Sequence, residues 1–425
     1  MERWTSLLGL LVMLLIAWAM STDRRRINWR LVSAALALQF GFALFILKTG
    51  PGHAVFSGLS DVFQAVIAYS QSGTEFMFGL SGDASDPKTP GRLTLLTTVA
   101  FGVLPTIVFF SSLMSVLYYL GAMQRITEWI AVIMQKTLGT SGAESLSAAA
   151  NIFVGQTEAP LVIKPFLKDM TISELHAVMV GGFATIAGGV MAFYVMMGVD
   201  AGHLITASVI SAPAALLVSK MMQPETEHPV TLGRVRIDYQ DPSANVIEAA
   251  ASGAADGMKL ALNVAAMLIA FLSLLSLCDG LLGWLGQQWN TWTGSPSSST
   301  WSMGTLLSYL FAPFAWVMGV PQEDCLRAGE LLGIRTAANE FIAYDGLSQW
   351  MKQADGQRPH PRTVLILTYA FCGFANLGSI GVQIGGIGAM VPERRADLAR
   401  LGMRAMIAGT LASFMTACVA GILTP

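Results

Sequence analysis

The chain has 425 residues, 53% hydrophobic and 12% charged, with a net charge of −2. Soluble domains carry roughly 25% charged residues to cover their surface, so this composition excludes an ordinary soluble globule and indicates a surface bathed in lipid. The balanced charge excludes a nucleic-acid partner, and Cys278, Cys325, Cys372 and Cys418, scattered through mostly apolar runs with no CxxC or metal spacing, read as packing residues.

A spanning helix needs about 20 largely apolar residues. The first run, 7–20, is followed, not preceded, by Arg24, Arg25 and Arg26. That order is wrong for a cleaved signal and right for a first spanning helix whose C-terminal end is cytoplasmic. Further spans are expected at 31–47, 93–120, 176–197, 204–222, 259–285, 363–390 and 403–423, about eight in all. The segment 55–78 reads as an interfacial helix and 233–252 as a polar cytoplasmic linker. Arg30, Arg234, Arg236, Arg394, Arg395 and Arg400 mark cytoplasmic loops. From Leu260 to Leu326 there is no Lys or Arg but there are Trp284, Trp289, Trp292 and Trp301, which read as a periplasmic aromatic belt and loop. Both termini are then periplasmic; Lys352, Arg358 and Arg362 run against that assignment.

Two stretches, 141–168 and 321–352, are helical in flavour but broken midway by polar residues, and neither half is long enough to span. Each is expected to form a re-entrant hairpin, a backbone tolerated at membrane depth only where it is buried in protein or lines a cavity. Each is followed by a span with a small, polar centre: G-F-A-T-I-A-G at 182–188 and G-F-A-N-L-G-S at 373–379. Hairpin, broken span and span thus occur twice, entering from opposite faces. Such an inverted repeat places a transporter's binding site near the midplane.

The tips carry the chemistry. The first reads N-I-F-V-G-Q-T-E-A-P over 151–160. A carboxylate at this depth costs a few kcal/mol, so Glu158 requires a partner, a proton or a ligand. Gly155, Gln156 and Thr157 offer amides and neutral donors and acceptors, which suit an uncharged hydrogen-bonding solute. Thr157 is also expected as an N-cap with Pro160 just inside the following half-helix. The second tip reads G-I-R-T-A-A-N-E-F over 333–341. Here Glu340 either accepts from a polyol or is neutralised by Arg335.

The motifs G-Q-T-E-A-P, G-F-A-T-I-A-G, G-I-R-T-A-A-N-E-F and G-F-A-N-L-G-S-I-G-V-Q-I-G-G closely resemble those of the concentrative nucleoside transporter family, in order and over essentially the whole chain. The family usually carries Lys where this chain has Arg335. The resemblance implies an all-α polytopic membrane protein of about eight transmembrane helices plus two re-entrant hairpins in an inverted repeat, in the bacterial inner membrane. It implies a homotrimer with scaffold helices in 1–122, a first transport repeat in 123–222, a linker and long scaffold helix in 223–300, and a second transport repeat in 301–425. The nucleobase would lie at Gly155, Gln156, Thr157, Glu158 and Val190, and the ribose at Glu340, Phe374, Asn376 and Ser379. A co-transported sodium ion would lie at Asn151, Val154, Thr185 and Ile186. Side-chain oxygens on Asn151 and Thr185, with carbonyls from the other two, suit a hard cation. The implied function is a symporter importing uridine and other pyrimidine and some purine nucleosides; proton coupling through Glu158 or Glu340 is the alternative. An intramembrane enzyme would need a nucleophile–base pair or metal ligands within the spans, yet His176 and His203 lie at predicted span ends and no HExxH or GxSxG occurs. Buried carboxylates on paired hairpins also argue for occlusion over an open channel.

Overall fold

The computed structural model describes residues 2–78, 100–101, 104–233, 243–293 and 301–424, and all regular elements among them are helical. Helix α1 (Glu2–Ala19) and α2 (Trp29–Lys48) flank a short 3-10 turn, Arg24–Arg26. The Asn28 side chain caps α2 by accepting from the Leu31 N–H at 3.2 Å. Helix α3 (Gly50–Phe78) contains the segment expected to be interfacial. Of the third predicted span, 104–119 forms α4 (Leu104–Tyr119), while 93–99 and 102–103 lie outside the described residues.

Helix α5 (Ala122–Leu138) turns away from α4 by 77° at Gly121, whose φ of +75° suits glycine. The first hairpin follows as α6 (Gly142–Ala150) and a 3-10 helix (Ala159–Phe166), with the polar tip 151–158 between them. Helices α7 (Ile172–Ala184) and α8 (Gly188–Met196) make the first broken span, and α9 (Ala201–Met222) closes the repeat. The second half repeats this order. Long α10 (Val246–Thr293) precedes α11 (Met303–Met318) and the hairpin α12 (Cys325–Ala337) and α13 (Glu340–Met351). The broken span α14 (Pro361–Phe371) and α15 (Leu377–Met390) leads into α16 (Arg395–Leu423).

Among the described residues, six helical segments are long and apolar enough to cross a membrane, and the bent α4–α5 pair makes a seventh. The seventh predicted span, 363–390, is α14 and α15, which the break divides into two shorter helices.

Three expectations need correction. The stretch around 303–318, read as part of a loop, is helix α11: Ser302 caps it by accepting from the Thr305 N–H at 3.0 Å. Its 16 residues are too few to span, so it lacks the signature of a membrane-crossing helix, and α5 lacks that signature for its mixed polarity. The linker 233–252 ends early, because Asn245 accepts from the Glu248 N–H at 2.9 Å and starts α10 at Val246. Lastly, Arg362 is not a loop charge. It is buried, donating to the carbonyls of Glu2, Gly319, Gly421 and Thr424 and to Ser6 Oγ. A satisfied guanidinium of this kind ties the two ends of the described chain together and carries no weight in a count of loop charges.

The core is built around α16, which packs on α1, α7, α9 and α14; α2 lies on α9. Helix α10 is different. Its 48 residues would extend about 72 Å at the usual rise, and only 11% of its apolar window is buried within the chain. It touches the rest chiefly through α4. There Gly253 and Gly257, four residues apart, let the backbones close: a Cβ on either would lie within 3 Å of Ser111 atoms.

Candidate functional site

The two helix breaks meet at the centre. Residues 185–187 break the helix between α7 and α8, and 372–376 between α14 and α15. The two G-F-A motifs are not equivalent, however. Gly182, Phe183 and Ala184 are the last residues of α7, and the break comes after them, whereas Gly373, Phe374 and Ala375 lie inside the second break. Gly373 has φ +142°, and a Cβ there would sit 2.5 Å from the Phe183 carbonyl oxygen. Gly182 is helical but equally constrained, since its Cβ would sit 2.8 Å from Gln156 Cβ and from Gln383 Nε2. Each motif glycine therefore admits the other repeat's chain.

A cavity of about 120 Å³, room for several waters or part of a small solute, lies against these breaks. Gly155, Gln156, Thr157, Glu158, Val190, Glu340, Phe374, Asn376 and Ser379, nine residues from both hairpins and both broken spans, line it together. Glu340 is 1% exposed. Tyr194 Oη donates to its Oε1 at 3.1 Å and Asn376 Nδ2 to its Oε2 at 3.0 Å. Asn376 also caps α15, its Oδ1 accepting from the Ser379 N–H at 2.9 Å, so one side chain fixes the helix start and the carboxylate. Asn339 caps α13, accepting from the Ile342 N–H at 3.1 Å.

Arg335 does not pair with Glu340. Its guanidinium donates to the Gly373 carbonyl at 3.4 Å, Ser413 Oγ at 3.1 Å and Thr410 Oγ1 at 3.4 Å, bracing the second break. Glu158, by contrast, is exposed to the cavity and to a neighbouring one of about 170 Å³ bounded by α4 and α10. It forms no ion pair among the described residues. Thr157 is not the N-cap expected: the 3-10 helix starts at Ala159, capped by Glu158 without a side-chain bond, and Pro160 is just inside. The Thr157 methyl instead packs on Gly386, where a Cβ would lie 2.6 Å away.

The four residues expected to hold a cation are buried around the first break. Asn151 Nδ2 donates to the Ser147 carbonyl at 2.9 Å, while its Oδ1 is buried without a hydrogen-bond partner. Such an orphaned acceptor is costly unless something supplies positive charge. Thr185 Oγ1 donates to the Gly181 carbonyl at 2.9 Å, and Gly181 lies against Asn151, a Cβ there being 3.1 Å from Asn151 Nδ2. The Gly188 N–H donates to the Phe153 carbonyl at 3.0 Å, joining the tip to the break that carries Ile186. No group of three or more His, Cys, Asp or Glu that could hold a metal occurs among the described residues, so the donors here are neutral oxygens.

Sequence reading missed four contributors. Tyr194, in apolar α8, gives no local sign that it reaches Glu340. Gln383 stands in a quoted motif, but only the fold shows its Nε2 donating to Gln156 Oε1 at 3.1 Å and to the Met179 carbonyl at 3.0 Å. Asn263 and Met267 join the cavity from α10; a polar residue in so apolar a span was the available signal for Asn263. Tyr194→Phe keeps the ring stack on Tyr344, whose centroid is 4.2 Å away, and removes one donor from a buried carboxylate. A three- to tenfold loss of solute affinity is expected, about 1 kcal/mol. Calorimetry on purified protein checks it, and unchanged affinity would mean that the contact does not position Glu340.

Two repeats that close their hairpin tips and helix breaks on one cavity make a membrane carrier. Comparison with known proteins gives the family. The profile described as "Na+ dependent nucleoside transporter C-terminus" matches residues 203–421, its N-terminal counterpart 8–81, and a "Nucleoside recognition" gate profile 100–201. The chain belongs to the Na+-dependent nucleoside transporter family. It is 46% identical over 423 residues to an uncharacterized transporter of Haemophilus influenzae, covering 99% of this chain and 98% of that one. It is 43% identical over 434 residues to sodium/nucleoside cotransporter 1 of Mus musculus, covering 99% of this chain and 64% of the relative; it thus spans about two thirds of the length of that mammalian protein. CNTnw in an inward-facing, substrate-bound state superposes with a TM-score of 0.90 at 44% identity, over 100% of this chain and 98% of that one. A CNTnw variant in an outward-facing state also gives 0.90. These relatives are transporters, not enzymes.

Proposed function

We propose that the protein is a secondary active symporter that imports nucleosides, uridine and other pyrimidine and some purine nucleosides, on a sodium gradient. The observation that carries this reading is the single cavity lined by all nine tip and break residues from both repeats. The base would lie against Gly155, Gln156, Thr157, Glu158 and Val190; the ribose hydroxyls would meet Glu340 and Asn376, with Phe374 and Ser379 beside them. Sodium would take the Asn151 and Thr185 side-chain oxygens and the Val154 and Ile186 carbonyls, where the orphaned Asn151 Oδ1 supports a cation. The scaffold would comprise the helices of 1–122 and long α10, with 123–222 and 301–425 as the moving repeats; the packing of α10 on α4 supports placing those two helices together. The apolar face that α10 leaves uncovered within the chain fits a homotrimer. The loop charges support a bacterial inner membrane with both termini periplasmic, and the Arg362 contacts with Glu2 and Thr424 support both ends lying on one side.

The test is uptake of labelled uridine into proteoliposomes. Accumulation driven by an inward sodium gradient is expected. Accumulation that follows a pH gradient and ignores sodium would replace sodium with protons, and saturable uptake of some other solute class with none of uridine would end the nucleoside reading.

A further inference from the structure

The turn between α1 and α2 carries Arg24, Arg25 and Arg26, and Arg30 follows in the first turn of α2. Asp23 is the only carboxylate in the turn. It pairs with Arg26 at 3.4 Å, an exposed contact. Arg24 donates to the Ala19 carbonyl at 2.7 Å, and its guanidinium lies 4.8 Å from the Trp18 ring centroid. Arg25 and Arg30 are exposed and form no ion pair among the described residues. Four cations against one carboxylate leave a strong positive excess at one end of α1 and α2.

Beside this turn opens a groove of about 310 Å³ lined by Leu14, Leu15 and Trp18 of α1, Trp29 and Val32 of α2, and Met221 of α9. No polar side chain lines it, so it offers nothing to the body of a water-soluble ligand; carbon chain is the occupant its chemistry fits. Trp18 and Trp29, both partly exposed, are of the type that sits at the level of lipid headgroups. The floor is fixed: Arg404 donates to the Met20 carbonyl and, at 3.1 Å, to the Met222 carbonyl, and the Thr22 N–H donates to Met222 at 3.0 Å. The ends of α1 and α9 are thus held together around the groove.

We propose that this groove is a binding site for one anionic phospholipid, an acyl chain lying between Trp18 and Trp29 and the phosphate meeting Arg25 and Arg30. A zwitterionic lipid could fill the same groove, but its ammonium group would be repelled by the arginine excess. Selectivity for net negative headgroups follows, since each basic residue near a bilayer surface contributes severalfold to anionic-lipid binding. The site is formed by α1, α2 and α9, away from the solute cavity, and does not depend on which solute or ion the protein carries.

Native mass spectrometry of the full chain in mild detergent, titrated with phosphatidylglycerol, phosphatidylcholine or glycerol phosphate, tests it. One phosphatidylglycerol should be retained at concentrations where phosphatidylcholine is not, and glycerol phosphate, which has no chain, should not compete. The double variant R25Q/R30Q should weaken phosphatidylglycerol binding roughly thirtyfold and leave phosphatidylcholine binding unchanged; both residues are exposed, so folding is preserved. V32D, which places a charge inside the groove, should weaken both lipids. Equal affinity of the wild type and R25Q/R30Q for phosphatidylglycerol would overturn the proposal, as would equal retention of phosphatidylcholine. Competition by glycerol phosphate would reduce the site to a simple anion patch and overturn it too.

Discussion

Replacing Glu340 by Gln is expected to weaken uridine binding by one to two orders of magnitude while leaving the cavity intact. An ionised carboxylate only accepts hydrogen bonds. Its two oxygens already receive Tyr194 Oη and Asn376 Nδ2, and each oxygen retains lone-pair capacity toward the cavity that Glu340 lines. A ribose hydroxyl donating there makes a charge-assisted bond of roughly 1.5–3 kcal/mol, and every 1.4 kcal/mol is about tenfold in affinity. Glutamine keeps the shape but exchanges one acceptor for a donor, which would face the donating Asn376 amide or Tyr194 hydroxyl. Nucleosides lacking the hydroxyl that Glu340 accepts should bind the wild type poorly and be discriminated less by the variant. Uracil, with no sugar, should bind both poorly. Calorimetry on detergent-purified protein makes the comparison; equal uridine affinity for wild type and Glu340→Gln would remove this residue from the site.

Asn151→Leu carries the second large effect. The substitution removes a buried side-chain oxygen at the first break that has no hydrogen-bond partner, with a side chain of similar size. If sodium fills that vacancy in bonding, the loss of a charge–dipole contact of about 1.5–3 kcal/mol raises the sodium concentration for half-maximal uptake about tenfold or more. Uptake at saturating sodium should be weak but present, because Thr185 and the two carbonyls remain. Loss of the Asn151 bond to the Ser147 carbonyl is a separate, structural cost. Asn151→Asp, which keeps the oxygens, distinguishes the two: it should retain a sodium response that Leu loses. A sodium dependence identical in wild type and Asn151→Leu would exclude this residue as a ligand.

Most of the fold was legible because a bilayer is an unforgiving solvent. Backbone and charge cannot face hydrocarbon unpaired, so spans, the arginine turn at 24–26 and the polar-tipped hairpins all leave local marks in the sequence. Polar members of the cavity such as Gln156, Glu158, Glu340 and Asn376 stood out for the same reason, because a Glu, Gln or Asn in an apolar segment has to be doing something there, whereas Val190 and Phe374 came from the family resemblance alone. Helix α11 escaped because it is apolar yet too short to span, and α5 because it is amphipathic, so neither matches the pattern of a membrane-crossing helix.

What the sequence alone determined is therefore the list of elements and the residues at their tips and breaks. The tertiary structure decided who meets whom. Tyr194 reaches Glu340 across 146 residues and Gln156 meets Gln383 across 227, separations over which no local periodicity carries information. It also turned Arg335 away from the neighbouring Glu340 and onto Gly373, Thr410 and Ser413. The physical reason is competition for buried partners. The second break exposes a carbonyl that needs a donor, while Tyr194 and Asn376 already satisfy the carboxylate, and only the packed arrangement of both repeats reveals which acceptor each donor can reach.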